Sequence, residues 1–226
     1  MDSVVIGGSS SIGLPIVQAL ANAGHGVTAT YNSSPPPKND SVKWVRLDIM
    51  SRESIDSFGD ECPSTDLLVL LPSLSLGKKL EAYTDELIDE VVTVNFSGQV
   101  RLLQAVKNHL TRGSQVIVMA SIAAQRGSSD PLYGATKGAM ISLTKSLAKS
   151  LAPTTRVNAI APGMVRDTAM HDSTPKSIID GHLAQTPTGH FPSAEDIAGI
   201  VVDMTRSHWS SLNGACIDLN GGQYLR

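Results

Sequence analysis

A basic surplus is missing from this chain. Its 226 residues carry 18 Lys and Arg against 21 Asp and Glu, a formal net charge of -3. There is nothing to neutralise a phosphate backbone, so no nucleic-acid partner is expected. No apolar run reaches the roughly 18 residues that a spanning helix needs, so no membrane partner is expected either. The chain opens Met1-Asp2-Ser3 and then turns apolar, without the basic n-region and h-region of a secretory signal. Its two cysteines, Cys62 and Cys216, are far apart and have no partners at ligand spacing, which disfavours a disulfide framework. The six histidines (His25, His109, His171, His182, His190 and His208) have no carboxylate or cysteine at ligand spacing, so they read as surface or structural residues and no metal is expected. A cytoplasmic globular protein is the expectation. Because one core can grow to roughly 250 residues before chains divide, a single domain over 1–226 is expected as well.

Short apolar runs recur along the chain, at 4–6, 27–30, 42–45, 67–70, 116–119, 156–160 and 215–219. The first five are mostly apolar at both odd and even positions, as in strands buried on both faces. Amphipathic stretches lie between them, clearest at 14–23, 86–108 and 136–151. This alternation predicts an α/β fold of the doubly wound, Rossmann type, with a parallel sheet covered by helices on both sides. Between the second and third strands stands Pro35-Pro36-Pro37. Proline lacks an N–H and clashes with the preceding helical turn, so a proline-rich loop is expected there instead of a crossover helix.

Directly after the first strand comes Gly7-Gly8-Ser9-Ser10-Ser11-Ile12-Gly13, which opens a helix. Glycine lets backbone approach a pyrophosphate closely, and a helix N-terminus offers N–H groups and a positive dipole end. The plainer alternative is a flexible surface turn. Asp48, followed by Ile49, ends the third strand, where a carboxylate can accept from an adenine amino group or act as a turn and capping residue. The second strand ends in Tyr31 and Asn32, with no acid nearby. An acid there would bind the ribose 2′-hydroxyl of NAD and repel a 2′-phosphate. Its absence tilts the coenzyme toward NADP(H) over NAD(H), although Lys38 is the only nearby cation.

Tyr133 and Lys137 are four residues apart at a helix start, so they share one helical face. A cation beside a phenol favours the phenolate, which suits the phenol to proton exchange with a carbonyl oxygen. Ser121, after the fifth strand, is positioned either to hold a substrate oxygen or to form a strand-end turn. Asn95 lies mid-helix, where asparagine is intrinsically disfavoured. It is either a structural hydrogen-bonder or the holder of a relay water.

In this order, the glycine-rich turn, Asn95, Ser121, Tyr133-x-x-x-Lys137, the segment Arg156-Val157-Asn158-Ala159-Ile160-Ala161-Pro162-Gly163 and the terminal Asn220-Gly221-Gly222 resemble the short-chain dehydrogenase/reductase family. The resemblance covers essentially the whole chain. It implies that Asn95, Ser121, Tyr133 and Lys137 are the catalytic tetrad. Tyr133 would be the general acid/base and Ser121 would orient the carbonyl. Lys137 would bind the nicotinamide ribose and depress the phenol, and Asn95 would hold a relay water. It further implies coenzyme contacts at Gly7, Ser9, Ser10, Ser11, Ile12, Gly13, Tyr31, Asn32, Asp48 and Ile49, then at Leu71 and Pro72, and at Pro162, Gly163, Val165 and Thr168. A homodimer or homotetramer paired through the 86–108 and 133–150 helices is also implied.

Within the family, the C-terminal third (183–189, 194–198 and 221–224) is similar to 3-oxoacyl-acyl-carrier-protein reductases. The implied activity is NAD(P)H-dependent reduction of a ketone to a secondary alcohol, on a small-molecule or carrier-bound substrate. The alternatives are a dehydrogenase of a small free alcohol or steroid-like substrate, and a non-catalytic nucleotide-binding scaffold. The chain also departs from the family pattern. Ile6 and Ser11 replace a threonine and a glycine of the turn, and Leu70-Leu71-Pro72-Ser73 replaces Asn-Asn-Ala-Gly. Leucine cannot make the asparagine hydrogen bonds and Pro72 has no N–H to donate, so the coenzyme wall there is left without its usual support. The Ser121-to-Tyr133 spacing is one residue short. His171 and His182 fall in a polar loop at 166–188 that is expected to border substrate. Lys78 and Lys79 read as a solvated face, or as a patch for an acidic carrier.

Overall fold

The computed structural model describes residues 1–33, 36 and 41–225. Seven strands form one sheet: β1 (Asp2–Ile6), β2 (Gly26–Tyr31), β3 (Val42–Arg46), β4 (Thr65–Leu70), β5 (Leu110–Met119), β6 (Thr155–Pro162) and β7 (Cys216–Leu219). Their order is β3-β2-β1-β4-β5-β6-β7, and every neighbouring pair is parallel. The helices are α1 (Gly13–Asn22), α2 (Arg52–Glu61), α3 (Asp85–Val92), α4 (Gly98–Val106), α5 (Ala123–Arg126), α6 (Pro131–Ser150), α7 (Ala169–Ser173), α8 (Lys176–Ala184) and α9 (Ala194–Asp203). Among the described residues, none is long and apolar enough to cross a membrane.

Alternating side chains divide the core into two layers. Val5, Leu67 and Ile117 face one side, where they meet Ile16 and Leu20 of α1 and Ile197 of α9. Val4, Leu68 and Val116 face the other, against Ile55 of α2, Leu102 of α4 and Met140 of α6. Fully burying a side chain of this kind contributes roughly 1.5–3 kcal/mol, so the apolar content at both parities accounts for a sheet covered on both faces. Asp130 caps α6 ahead of Pro131, and Ser193 with Asp196 forms a capping box on α9.

The proline-rich connection expected after β2 falls at 34–40, of which only Pro36 lies within the described residues. Among the described residues no helix stands between β2 and β3. The single helix expected over 86–108 is instead α3, a π-helical turn at Thr93–Ser97, α4 and a 3-10 turn at Lys107–His109. The wide turn has visible causes. Gly98 sits so close to the Ile49 carbonyl that a Cβ there would lie 2.5 Å from it. Gln99 Nε2 reaches back to the carbonyls of Val94 and Asn95, at 3.2 and 3.0 Å. Helix α6 starts earlier than the expected 136, so Tyr133 lies inside its first turn.

Candidate active site

The strand order reverses between β1 and β4, and a doubly wound sheet opens its ligand crevice beyond the carboxyl ends at such a point. A cavity of about 690 Å³ lies there, within the range usual for cofactor sites. The glycine-rich turn forms one end. Gly7 has φ +78°, a left-handed conformation that glycine adopts without strain, and its N–H donates to Thr30 Oγ1 at 2.9 Å. Gly13 lies under the turn, where a Cβ would come within 2.5 Å of the Gly7 carbonyl. Ser9, Ser10, Ser11 and Ile12 line the cavity. The hydroxyl of Ser10 is already engaged, donating to the Gly7 carbonyl and accepting from the Gly13 N–H. Ser11 takes the place of a glycine at an exposed position with room for its side chain.

Tyr31, Asn32, Asp48 and Ile49 continue the wall, as do Leu71 and Pro72. Asp48 also has the plainer role, since its Oδ1 accepts from the Met50 N–H at 2.9 Å. Pro162, Gly163, Val165 and Thr168 line the far end. That end is held by the Gly163 N–H, which donates to the Leu219 carbonyl, and by Thr168, whose hydroxyl donates to the Val165 carbonyl while capping α7. Thr30, Ser33, Met119, Met164 and Met170 also line the cavity. These are residue types that carry no distinguishing signal in a sequence.

Tyr133, Lys137 and Ser121 meet in this cavity despite the short spacing. Burial raises the Tyr133 phenol above its ordinary value, while hydrogen bonds from the hydroxyls of Ser121 and Ser73 work in the opposite direction. Lys137 is 1% exposed. Its Nζ donates to the Met119 carbonyl at 2.8 Å and lies 5.8 Å from the centre of the tyrosine ring. Desolvation pushes its ammonium down to about 7.

Asn95 is completely buried and is not part of the cavity wall. Its Oδ1 accepts from the Leu74 N–H at 2.6 Å, and its Nδ2 donates to the Leu74 carbonyl and to Thr136 Oγ1. The amide thus clamps the loop after β4 to α6. The support missing from Leu70-Leu71-Pro72-Ser73 is replaced from the helix side. Gln99 Nε2 donates to the Pro72 carbonyl at 2.9 Å.

Asp130 anchors the next stretch of that loop, although its sequence position suggests only a helix cap. Its Oδ2 accepts from Ser75 Oγ and from the N–H groups of Leu76 and Gly77, each at 3.0 Å. Its Oδ1 accepts from the Tyr83 hydroxyl at 2.6 Å and the Tyr133 N–H at 3.1 Å. Of the two loop histidines, His171 lines the cavity, whereas His182 is bonded to Arg126 and Gln223. Among the described residues, no group of three or more His, Cys, Asp or Glu is placed to hold a metal ion.

The family model described as enoyl-(acyl carrier protein) reductase matches residues 7–223. The chain is 28% identical to the 3-oxoacyl-[acyl-carrier-protein] reductase MabA of Mycobacterium tuberculosis, over 97% of this chain and 91% of that protein. A Brucella melitensis structure titled short-chain dehydrogenase/reductase, glucose/ribitol dehydrogenase, superposes with a TM-score of 0.93 at 26% identity, covering 100% of this chain and 97% of that one. A Burkholderia cenocepacia short-chain dehydrogenase in complex with NADP superposes with a TM-score of 0.88 at 25% identity, covering 98% and 96%.

Proposed function

The chain belongs to the short-chain dehydrogenase/reductase family, and from that premise we propose that it reduces a 3-oxoacyl thioester, carried on an acyl carrier protein or coenzyme A, with NADPH. At the family level it is an NAD(P)-dependent oxidoreductase, which removes the non-catalytic scaffold from consideration. The observation that carries the reading is the meeting of Tyr133, Lys137, Ser121 and Ser73 in one cavity that also contains the glycine-rich turn.

The residues present fit a dinucleotide. The turn is too tight for any Cβ at Gly13, no carboxylate stands in the first turn of α1, and Tyr31, Asn32 and Ser33 form an acid-free rim at the end of β2. Gly7, Ser9, Ser11 and Ile12 would take the pyrophosphate, Tyr31 and Asn32 the adenosine ribose, and Asp48 and Ile49 the adenine. Leu71 and Pro72 would form the adjoining wall. Pro162, Gly163, Val165 and Thr168 would take the nicotinamide end, with Lys137 on its ribose. When bound, the reduced nicotinamide supplies the hydride to the carbonyl carbon. Tyr133 donates its phenolic proton to the carbonyl oxygen, and its raised ionisation keeps that proton in place at neutral pH. Ser121 holds the same oxygen, opposing the build-up of unsolvated charge on it.

The acid-free rim and the likeness to an NADP complex support NADP(H). Leu74, Val94, Met164 and Met170 give the cavity an apolar wall that suits an acyl chain, and the MabA likeness points the same way. A second reading, a dehydrogenase of a small free alcohol, draws on the likeness to the Brucella protein. Family membership also supports a dimer or tetramer paired through α4 and α6, which sedimentation reads directly.

The test follows NADPH and NADH consumption with an acetoacetyl thioester. Turnover with NADPH is expected, and Tyr133→Phe should lower kcat by about 10²–10⁴ while leaving coenzyme binding intact. Turnover confined to free polyols, or full activity in Tyr133→Phe, would overturn the reading.

A further inference from the structure

We propose that Asp130 is a positioning residue for the reduction, holding the substrate-side loop 73–77 and the acid-bearing helix α6 in one register. The proposal rests on the ketoreductase reading and concerns how its site is kept in shape.

The carboxylate is 2% exposed and accepts from five donors. Three belong to the loop: Ser75, Leu76 and Gly77. One is the N–H of Tyr133 itself, and the last is the Tyr83 hydroxyl. A helix cap needs a single acceptor, so capping explains one of these contacts and leaves the other four to another purpose. The four gather the loop that follows β4, whose residues Ser73 and Leu74 line the cavity beside Tyr133 and Ser121. Asn95 secures Leu74 from the other side. Ser73 stays beside the phenol in the cavity wall only while this loop stays in position. Substrate wall and proton donor therefore share one anchor.

The anchor is also charged. Burial works against ionisation of Asp130, but the hydrogen bonds from Tyr83, Tyr133, Ser75 and Gly77 outweigh it and hold the carboxyl below its ordinary value, so it is an anion at neutral pH. That anion opposes ionisation of the nearby phenol. Lys137 of the same helix, Glu90 of α3, Asp48 beyond β3, Tyr31 at the end of β2 and His171 of α7 are the other titratable groups around the cavity. None of them donates to or accepts from Asp130. Removing the carboxylate charge therefore shifts phenol ionisation toward lower pH.

Asp130→Asn separates the two roles. Asparagine caps a helix about as well as aspartate, but it is uncharged and its single oxygen cannot serve five donors. Relative to wild type, the variant should show a KM for the thioester raised on the order of tenfold, the loss expected when one or two hydrogen bonds to a charged group go, with the coenzyme Kd unchanged. Its alkaline limb of ketone reduction should begin at lower pH, and the Leu76 and Gly77 amides should exchange with solvent faster. Tyr83→Phe removes one donor and keeps the charge, so it should raise KM by a smaller factor, speed the same amides and leave the alkaline limb in place.

Unchanged KM, pH limb and amide exchange in Asp130→Asn would overturn the proposal. If Asp130→Asn does not fold, unchanged KM and exchange in Tyr83→Phe would overturn it instead. If the wild type reduces no ketone, the ketoreductase reading fails on its own. Amide exchange and the phenolate absorbance of Tyr133, taken as the difference from a Tyr133→Phe partner of each protein, would still decide the role of Asp130. Unshifted values there would reject it.

Discussion

Lys137 is enclosed on every side, and burial lowers its ammonium from the ordinary 10.5 to about 7. Between those two values the unfolded chain binds a proton that the folded chain has released. Stability therefore rises with pH through that window and is lowest, on this account, at and below neutrality. Lys137→Met fills similar space without a charge. It should raise the denaturation midpoint at neutral pH, show a smaller gain at alkaline pH and abolish turnover, as denaturant titrations at both pH values and an NADPH assay would show. The Tyr133–Lys137 pair was legible because it is a local spacing on one helix. Ser73 and Asp130 were not legible as site residues. A serine after a strand and an aspartate before Pro131 read locally as turn and cap, and the contacts that give Asp130 further meaning join positions 47–55 residues apart.

At the level of elements, the π turn between α3 and α4 determines how the loop after β4 is supported. Gln99, 1% exposed, satisfies the Val94 and Asn95 carbonyls and at the same time holds Pro72. Gln99→Leu keeps the volume and leaves these carbonyls without that donor. A buried polar group deprived of its partner costs about 1–3 kcal/mol, so the denaturant midpoint should fall with the slope unchanged. Coenzyme should bind more weakly, because Leu71 and Pro72 form part of its proposed wall. A stability loss with unaltered coenzyme affinity would separate the brace from the wall. The 86–108 stretch looked like one helix because apolar spacing registers which face is buried and is insensitive to one widened turn. The irregular signs were Gly98, a mid-helix glycine, and Asn95 and Gln99, polar residues at enclosed positions. The strands, in contrast, were visible in outline, since burial on both faces demands apolar residues at consecutive positions, as at 4–6 of β1, 67–70 of β4 and 116–119 at the end of β5.

For the molecule as a whole, the coenzyme is expected to act as a stabilising ligand in proportion to its affinity. At a hundredfold excess over Kd, binding to the folded state alone adds about 2.7 kcal/mol. Under the proposed preference, a thermal melt should shift more with NADPH than with an equal concentration of NADH. Equal shifts would show that the acid-free end of β2 does not discriminate. The fold class followed from the alternation of elements. The crevice followed less completely, because its walls come from the ends of strands that meet only in three dimensions.

The strand order described above also has a kinetic consequence. The two central strands pair Ser3 with Leu67, and the last strand delivers Leu219 to Gly163. The crevice is therefore closed by parallel contacts between distant parts of the chain, the kind whose loop-closure entropy makes them form slowly. On a ribosome, a chain halted before β4 has no reversal point at which to receive a nucleotide. One halted before β7 lacks the strand that holds Gly163 at the proposed nicotinamide end. Coenzyme protection during synthesis or refolding should thus be a late event, reporting completion of the sheet and not the appearance of its first glycine-rich turn.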